Sequence, residues 1–202
     1  MTEDSYKTLA SNSESLYKVK GSKHFGFAFP VMDEDDIRLH LDQLRKDHHS
    51  ARHHCYAWSL GIEREPYRAN DDGEPSGSAG KPIYGQLLSF DITNVLIVVI
   101  RYFGGTKLGV GGLIDAYRTA AKMAIEAGTI VERQVCDYYK IKFSYNKMSE
   151  VMGVLKDLDL PQSEQEFDLN CSLKTSIRIS ESQRLIELLE GEEVEFEHLF
   201  RR

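Results

Sequence analysis

The run NVLIVVIRYF, residues 94–103, constrains the fold of this chain more than any other segment. Its apolar residues are consecutive rather than alternating, so the strand that it predicts must be covered on both faces. The glycine-rich segment GGTKLGVGG follows at 104–112, and an Ala-rich helix is predicted over 113–127, capped by Gly128. A buried strand, a glycine loop and a long helix in direct succession indicate a layered domain of mixed helix and strand.

An arm, two strands and a helix are predicted within the first 60 residues. Residues 1–15 are polar and are predicted to form a flexible N-terminal arm. A strand is predicted over 16–31, where alternating aromatic residues give an apolar face and Gly21 marks a bend. A helix is predicted to begin at the acidic residues 33–36, and a second strand is predicted over 55–60.

The pattern changes near residue 135 to a compact alternation of short strands and helices. The predicted strands are 136–145, 163–169, 172–179 and 193–200, and the predicted helices are 148–158 and 182–189. Their order, βαββαβ, is that of the ferredoxin-like arrangement. The chain is therefore predicted to be α+β with two domains, the first over 16–132 and the second over 135–202.

The composition is that of a globular protein, with 41% hydrophobic and 28% charged residues in a chain of 202. The longest apolar run, 95–100, is far shorter than the roughly 20 residues needed to span a bilayer, and 1–15 lack the pattern of a secretory leader. We therefore expect a cytoplasmic protein without a membrane partner. Its 3 cysteines are widely separated and form no CxxC pair, so neither a disulfide framework nor a zinc site is predicted.

The net charge of −7 gives no general affinity for nucleic acid, but the charge is unevenly distributed. No acidic residue lies between Asp91 and Asp115, whereas Arg101 and Lys107 both do. A local cationic patch on an acidic protein is predicted there.

The glycine segment 104–112 is a candidate anion site. Glycines between a strand and a helix let backbone N–H groups approach an anion, and a helix N-terminus favours negative charge. Arg101, Lys107, Arg118 and Lys122 would add charge-assisted contacts to phosphate. The predicted backbone donors are Gly104, Gly105, Gly109, Gly111 and Gly112. Gly104 and Gly109 have the spacing of a P-loop, but Val110 stands where its lysine must be, and GxGxxG is absent. The alternative is that the glycines only permit a tight turn from strand to helix.

A second loop, DDGEPSGSAGKP at 71–82, offers two kinds of chemistry. Hydroxyls and free backbone N–H groups beside a lysine would bind an anion; the side chains concerned are Ser76, Ser78 and Lys81. Neighbouring carboxylates would suit Mg²⁺ or acid–base work; these are Asp71, Asp72 and Glu74. A solvated turn explains the acidic part equally well.

The segment HHSARHHC places four histidines and Cys55 within residues 48–55. A metal site needs ligands that converge, yet on a strand His53 and Cys55 share one face while His54 takes the other. A Cys–His nucleophile would need a depressed thiol pKa, and stacking of imidazole on RNA bases is a third interpretation. The favoured interpretation is a helix end and a strand start with solvated imidazoles and a buried thiol.

Three segments together resemble the YigZ/IMPACT family: HHCYAW at 53–58, DDGEPSGSAGKPI at 71–83 and VVIRYFGGTKLGVGGLIDAY at 98–117. The resemblance covers about 20–130 by motif and is to the shorter, bacterial YigZ-like form. It implies a first domain like the second domain of ribosomal protein S-five and domain IV of elongation factor G. It also implies a ferredoxin-like second domain. Those folds act on RNA or the ribosome.

The resemblance therefore implies a translation-associated, non-enzymatic regulator whose partner is RNA or the ribosome, contacted through the glycine segment and the basic residues named above. No catalytic residue, metal or cofactor is assigned. One alternative is a small-molecule enzyme that binds a phosphate-bearing substrate in the same cleft and uses the acidic loop for metal or base. The other is an adaptor that binds a protein partner.

Overall fold

The structure, a computed structural model, describes residues 4–191 and 193–201. The chain is a mixed α and β protein that divides into two compact units. One is Tyr6–Arg133, and the other is Gln134–Arg202 together with the N-terminal residues through Ser5. All strands within its two larger sheets pair antiparallel.

A five-stranded sheet forms the framework of the unit Tyr6–Arg133, with the order β2-β3-β6-β4-β5. Its strands are β2 (Ser13–Val19), β3 (Ser22–Pro30), β4 (His53–Ser59), β5 (Tyr67–Asn70) and β6 (Val95–Tyr102). A separate two-stranded sheet joins β1 (Ser5–Leu9) to β7 (Ile130–Gln134).

Two predictions about the N-terminal region are wrong. The predicted flexible arm over 1–15 contains β1 and the start of β2, because Tyr6 and Leu9 are buried apolar anchors within the polar sequence. The strand predicted over 16–31 is a hairpin of two strands. Lys20 and Gly21 have φ values of 46° and 80°, and two successive residues with positive φ make the tight turn that right-twisted hairpins favour.

Three helices cover the two faces of this sheet: α1 (Glu34–Asp47), α2 (Gly80–Ser89) and α3 (Gly109–Glu126). Ile97 and Val99 of β6 pack with α2 and α3, whereas Leu96 and Val98 pack with α1. The central strand is therefore buried on both faces, as its unbroken apolar run predicts. Among the described residues, no helix is both long and apolar enough to cross a membrane.

The second unit has the predicted element order βαββαβ. Its elements are β8 (Cys136–Ser144), α4 (Met148–Asp157), β9 (Gln162–Glu166), β10 (Asn170–Arg178), α5 (Ile179–Leu189) and β11 (Val194–Arg201), in one sheet of order β11-β8-β10-β9. The lysines on its open sheet face lie among glutamates: Lys142 pairs with Glu197 at 2.9 Å and Lys174 with Glu164 at 2.6 Å. This face is therefore electrostatically balanced.

Candidate functional site

The three sequence motifs meet at one end of the five-stranded sheet. In the strand register, His24 of β3 and His53 of β4 both lie opposite Arg101 of β6. Side chains at paired positions share a face of the sheet, and Cys55, two residues from His53, packs with α2 and α3 on that face. A row of polar side chains thus crosses the sheet beneath the two helices.

Glu74 of the second loop is the centre of a buried polar network. Its Oε1 lies 2.6 Å from Nε of Arg101, an ion pair whose side chains are only 3% and 11% exposed. The hydroxyl of fully buried Tyr117, on α3, donates to the same Oε1 at 2.7 Å. Burial raises the pKa of Tyr117, and the neighbouring Cys55 and Glu74 raise it further. Through these two contacts the Glu74 carboxylate connects the second loop to β6 and α3.

Asp71 organises the rest of this loop and begins α2. Its carboxylate accepts backbone N–H bonds from Gly77, Ala79 and Gly80 at 2.8–2.9 Å. Burial alone would raise the pKa of Asp71, but these three donors hold it below its usual value. The carboxylate therefore satisfies N–H groups at the start of α2 that the helix itself leaves without partners.

Asp72 connects the same loop to β4. One carboxylate oxygen accepts the backbone N–H of His54 at 2.6 Å, and Nδ1 of His53 lies 3.0 Å from the carbonyl oxygen of Asp72. Among residues 4–191 and 193–201, no group of three or more His, Cys, Asp or Glu side chains is placed to hold a metal ion. The three acidic side chains that suggested Mg²⁺ binding or acid–base chemistry instead hold the loop in place.

The cysteine of the HHC segment has no nucleophilic character in this structure. Cys55 is fully buried, its Sγ donates to the carbonyl oxygen of Asp71 at 2.9 Å, and burial raises its pKa. The prediction of a buried thiol is confirmed. The prediction of solvated imidazoles is wrong for His54, which is buried and whose pKa is lowered mainly by that burial. The apolar strand carries this imidazole into the interior.

The glycine segment lies at the surface against the β2–β3 hairpin turn. A Cβ on Gly104 would lie 1.9 Å from the backbone carbon of Gly21, so only glycine fits there. The backbone N–H of Gly104 also donates to Oγ of Ser22 at 3.1 Å. Gly105 and Gly109 have positive φ. Within 4–191 and 193–201, no residue crowds a Cβ placed on either glycine and no side chain caps the N-terminus of α3. The N–H groups at this end are therefore available to an external acceptor.

The four cations that were predicted to bind phosphate differ in their burial and in their ion pairs. Arg101 is mostly buried against Glu74, and on the outer face of α3 Arg118 pairs with Asp115 at 2.8 Å and Lys122 with Glu126 at 3.5 Å. Lys107 is exposed and makes no ion pair with any residue that the structure describes.

The three side chains of the second loop that were predicted to bind an anion also differ in their exposure to solvent. Ser76 and Lys81 are exposed, whereas Ser78 is fully buried. The Ser78 hydroxyl lies inside the folded loop and cannot reach a ligand at the surface, contrary to the sequence prediction.

Sequence reasoning missed a cluster of lysines on the hairpin. Lys18 and Lys23 lie directly opposite each other in the β2–β3 register, and Lys20 is in the turn between them. All three are exposed, and within the described chain none forms an ion pair. Like charges at facing positions destabilise a strand pair. The signal in the sequence is the segment KVKGSK, whose lysines flank the turn glycine.

We call Lys18, Lys20, Lys23 and Lys107, with the backbone of 104–112, the hairpin–loop patch. Its two halves touch where Gly104 meets Gly21 and Ser22. Exposed lysines therefore lie beside a helix N-terminus and open glycine backbone, two features that favour negative charge.

Comparison with known proteins agrees with the fold and motifs. Residues 20–125 match the Impact N-terminal domain, and the chain belongs to the IMPACT family. It is 29% identical to the IMPACT family member YvyE of Bacillus subtilis, over 91% of this chain and 84% of that protein. It is 34% identical to the family member YigZ of Escherichia coli, over 59% of each chain. The resemblance stated from the sequence is thereby confirmed.

A solved structure extends this likeness to both units. The crystal structure of a hypothetical protein superposes with a TM-score of 0.75 and 23% sequence identity, covering 98% of both chains. The two-unit fold is therefore shared along the whole length.

Proposed function

We propose that this protein is a translation-associated regulator that binds RNA, free or within the ribosome, through the hairpin–loop patch. The observation that carries the proposal is the set of four exposed lysines that form no ion pair with any described residue and lie beside the open glycine backbone. Phosphate groups are bound by such lysines and by backbone N–H groups at helix N-termini.

The charge of the remaining surface supports this location. The whole chain carries a net charge of −7, and the lysines of the second unit lie among glutamates. A polyanion is repelled by most of such a surface and attracted where cations are unpaired. Binding would thus be favoured at the hairpin–loop patch, where exposed lysines lie beside open glycine backbone.

The finer fold assignments belong to the same proposal. We infer that the unit Tyr6–Arg133 is like the second domain of ribosomal protein S-five and that the second unit is ferredoxin-like. The element order βαββαβ and the strand order β11-β8-β10-β9 support the second assignment. Folds alone do not establish function, so the proposal depends on the patch.

The salt dependence of RNA binding tests the patch. Replacing Lys20, Lys23 and Lys107 together by alanine removes about three phosphate contacts. We expect the slope of log affinity against log salt concentration to become shallower by about 2, with weaker binding to all RNA sequences at low salt. The measurement is a titration of fluorescently labelled RNA at several salt concentrations.

A matched control keeps the number of removed charges equal. The triple alanine variant of Lys140, Lys142 and Lys174 removes three exposed or half-exposed lysines from the balanced sheet of the second unit. We expect it to retain nearly the original slope. Equal slopes for both triple variants, or no RNA binding by the unchanged protein at low salt, would refute the proposed function.

A further inference from the structure

An aromatic hollow lies beside the hairpin–loop patch on the opposite face of the sheet from the Glu74 network. Phe25 and Tyr102 alternate along their strands with His24 and Arg101, so they face the side covered by α1. We call the space lined by Gly21, Lys23, Phe25, His48, Tyr102 and Phe103 the aromatic hollow; its volume is about 330 Å³. That is near the lower end of small-molecule sites, and it suits a ligand of one or two rings.

The walls of the aromatic hollow are held in place. The Phe25 ring lies 5.7 Å from that of Tyr102, edge to face, and 5.6 Å from the imidazole of His48. The Tyr102 hydroxyl and Nδ1 of His48 are hydrogen-bonded at 2.9 Å. Three rings thus form a lining that needs little reorganisation on binding, which reduces the entropic cost of holding a flat ligand.

Phe103 completes the lining from the solvent side. Its side chain is 57% exposed, so this large apolar ring lies outside the core. The guanidinium carbon of Arg101 lies 5.8 Å from its ring centre. An exposed aromatic ring next to cations is the arrangement on which unpaired bases stack in single-strand binding proteins.

The charge around the aromatic hollow selects the ligand class. Lys23 and Gly21 line the hollow and also belong to, or border, the hairpin–loop patch. A ligand with a flat ring in the hollow would therefore place an attached negative group against these lysines. An apolar peptide side chain would contact the aromatic rings and leave the lysines without partners. A nucleotide would contact the rings with its base and the lysines with its phosphate.

We propose that the aromatic hollow holds one unpaired nucleobase of a single-stranded RNA segment while the hairpin–loop patch binds the adjoining phosphates. This inference rests on the proposed function and narrows it to RNA with exposed bases. A base inside a duplex is already stacked and paired, so only loops, bulges and single strands present a base that can enter.

The test compares Phe103→Ala with Phe167→Ala, an exposed phenylalanine of the second unit with 49% exposure against 57%. We expect Phe103→Ala to weaken binding of a single-stranded oligoribonucleotide about tenfold or more, the effect of losing one base–aromatic stack, and to leave the salt slope unchanged. Phe167→Ala should bind as the unchanged protein does. A blunt duplex of the same sequence should bind more weakly and be insensitive to Phe103→Ala.

A second variant keeps the test independent of any folding defect. Phe103→Trp retains a stacking ring, so single-stranded RNA should bind with nearly unchanged affinity and quench the new indole. The one native tryptophan, Trp58, is buried and should contribute little to that quenching. Normal RNA affinity of Phe103→Ala together with unquenched Phe103→Trp would overturn this inference.

The two proposals fail in different ways. If the lysine triple variant loses binding but duplex and single strand bind equally and Phe103→Ala is silent, the hollow takes no base and the patch proposal survives. If no RNA binds at low salt, both proposals are refuted. If an apolar peptide binds in the hollow and single-stranded RNA does not, the nucleobase is excluded and a protein partner takes its place.

Discussion

Replacing Glu74 by alanine is expected to destabilise the unit Tyr6–Arg133 by about 3–5 kcal/mol. The substitution leaves the Arg101 guanidinium mostly buried without its counter-charge at 2.6 Å. It also leaves the Tyr117 hydroxyl, which is fully buried, without its acceptor. Each loss carries a desolvation cost, because the Tyr117 hydroxyl is fully buried and the Arg101 guanidinium is largely shielded from water. Typical domains are stable by only about 5–15 kcal/mol, so much of the stability of this unit would be lost.

Unfolding of this unit can be followed specifically. Trp58 is the only tryptophan of the chain and lies in the buried core beside α1. Its fluorescence during urea unfolding therefore reports on the unit Tyr6–Arg133 and not on the second unit. The shift of the midpoint, at constant urea dependence, gives the change in unfolding free energy.

An exposed ion pair provides the matched control for Glu74. Asp115 pairs with Arg118 at 2.8 Å, but the two side chains are 74% and 52% exposed. Asp115→Ala should cost less than about 1 kcal/mol because solvent screens such pairs. The double substitution Glu74→Leu with Arg101→Leu should cost less than the sum of the two single ones. A loss for Glu74→Ala no larger than that for Asp115→Ala would show that the network contributes no stability.

Lowering the pH from 6.5 to 4 is expected to reduce the stability of the same unit by about 3 kcal/mol through His24 alone. His24 is fully buried between Tyr17 and Tyr117, and neither ring nitrogen has a hydrogen-bond partner among the described residues. Burial, with the nearby charge of Arg101, lowers its pKa from 6.5 to about 4. Desolvation disfavours the charged imidazole in the fold.

Proton uptake by the unfolded chain explains why stability decreases as the pH is lowered. Between pH 6.5 and about 4 the unfolded chain binds a proton at His24 that the folded chain does not, so stability falls as the pH is lowered. Burial lowers the pKa values of His40 and His54 too, and they act in the same direction. The lowered pKa of Asp71 acts below its ordinary value of 3.8, outside this window.

His24→Leu isolates the contribution of this imidazole. Leucine of similar volume removes two unpartnered nitrogens, so the free energy of unfolding at pH 7 should stay equal or rise. Its fall between pH 6.5 and 4, measured by urea unfolding with Trp58 fluorescence, should shrink by about 3 kcal/mol. A full fall in His24→Leu would exclude His24 as its source.

The sequence correctly predicted the elements whose formation depends mainly on neighbouring residues. The apolar run of β6 indicates a strand covered on both faces, and the Asp33 side chain that begins α1 accepts the N–H of Asp36 at 2.9 Å, as the acidic segment 33–36 suggests. The hairpin was missed because its turn depends on the positive φ of Lys20, a non-glycine residue that rarely adopts it.

Site predictions failed where a side chain depends on a distant partner. Arg101 was expected at the surface with phosphate, yet the strand register turns it inward and Glu74, 27 residues earlier, neutralises it. The acidic loop suggested metal chemistry because its carboxylates are close together in the sequence. The Asp71 carboxylate instead accepts the backbone N–H groups of Gly77, Ala79 and Gly80, which come close only when the loop closes.

The sequence by itself determined the family, the central strand and the order of elements in the second unit, since motifs and hydrophobic periodicity act over a few neighbouring residues. Only the tertiary structure decided which charges are free. Folding buries Arg101 against Glu74 and brings the lysines of the hairpin turn beside the glycine segment, where Gly104 meets Gly21. Burial and pairing depend on residues far apart in the chain, so the availability of a charge is a property of the fold.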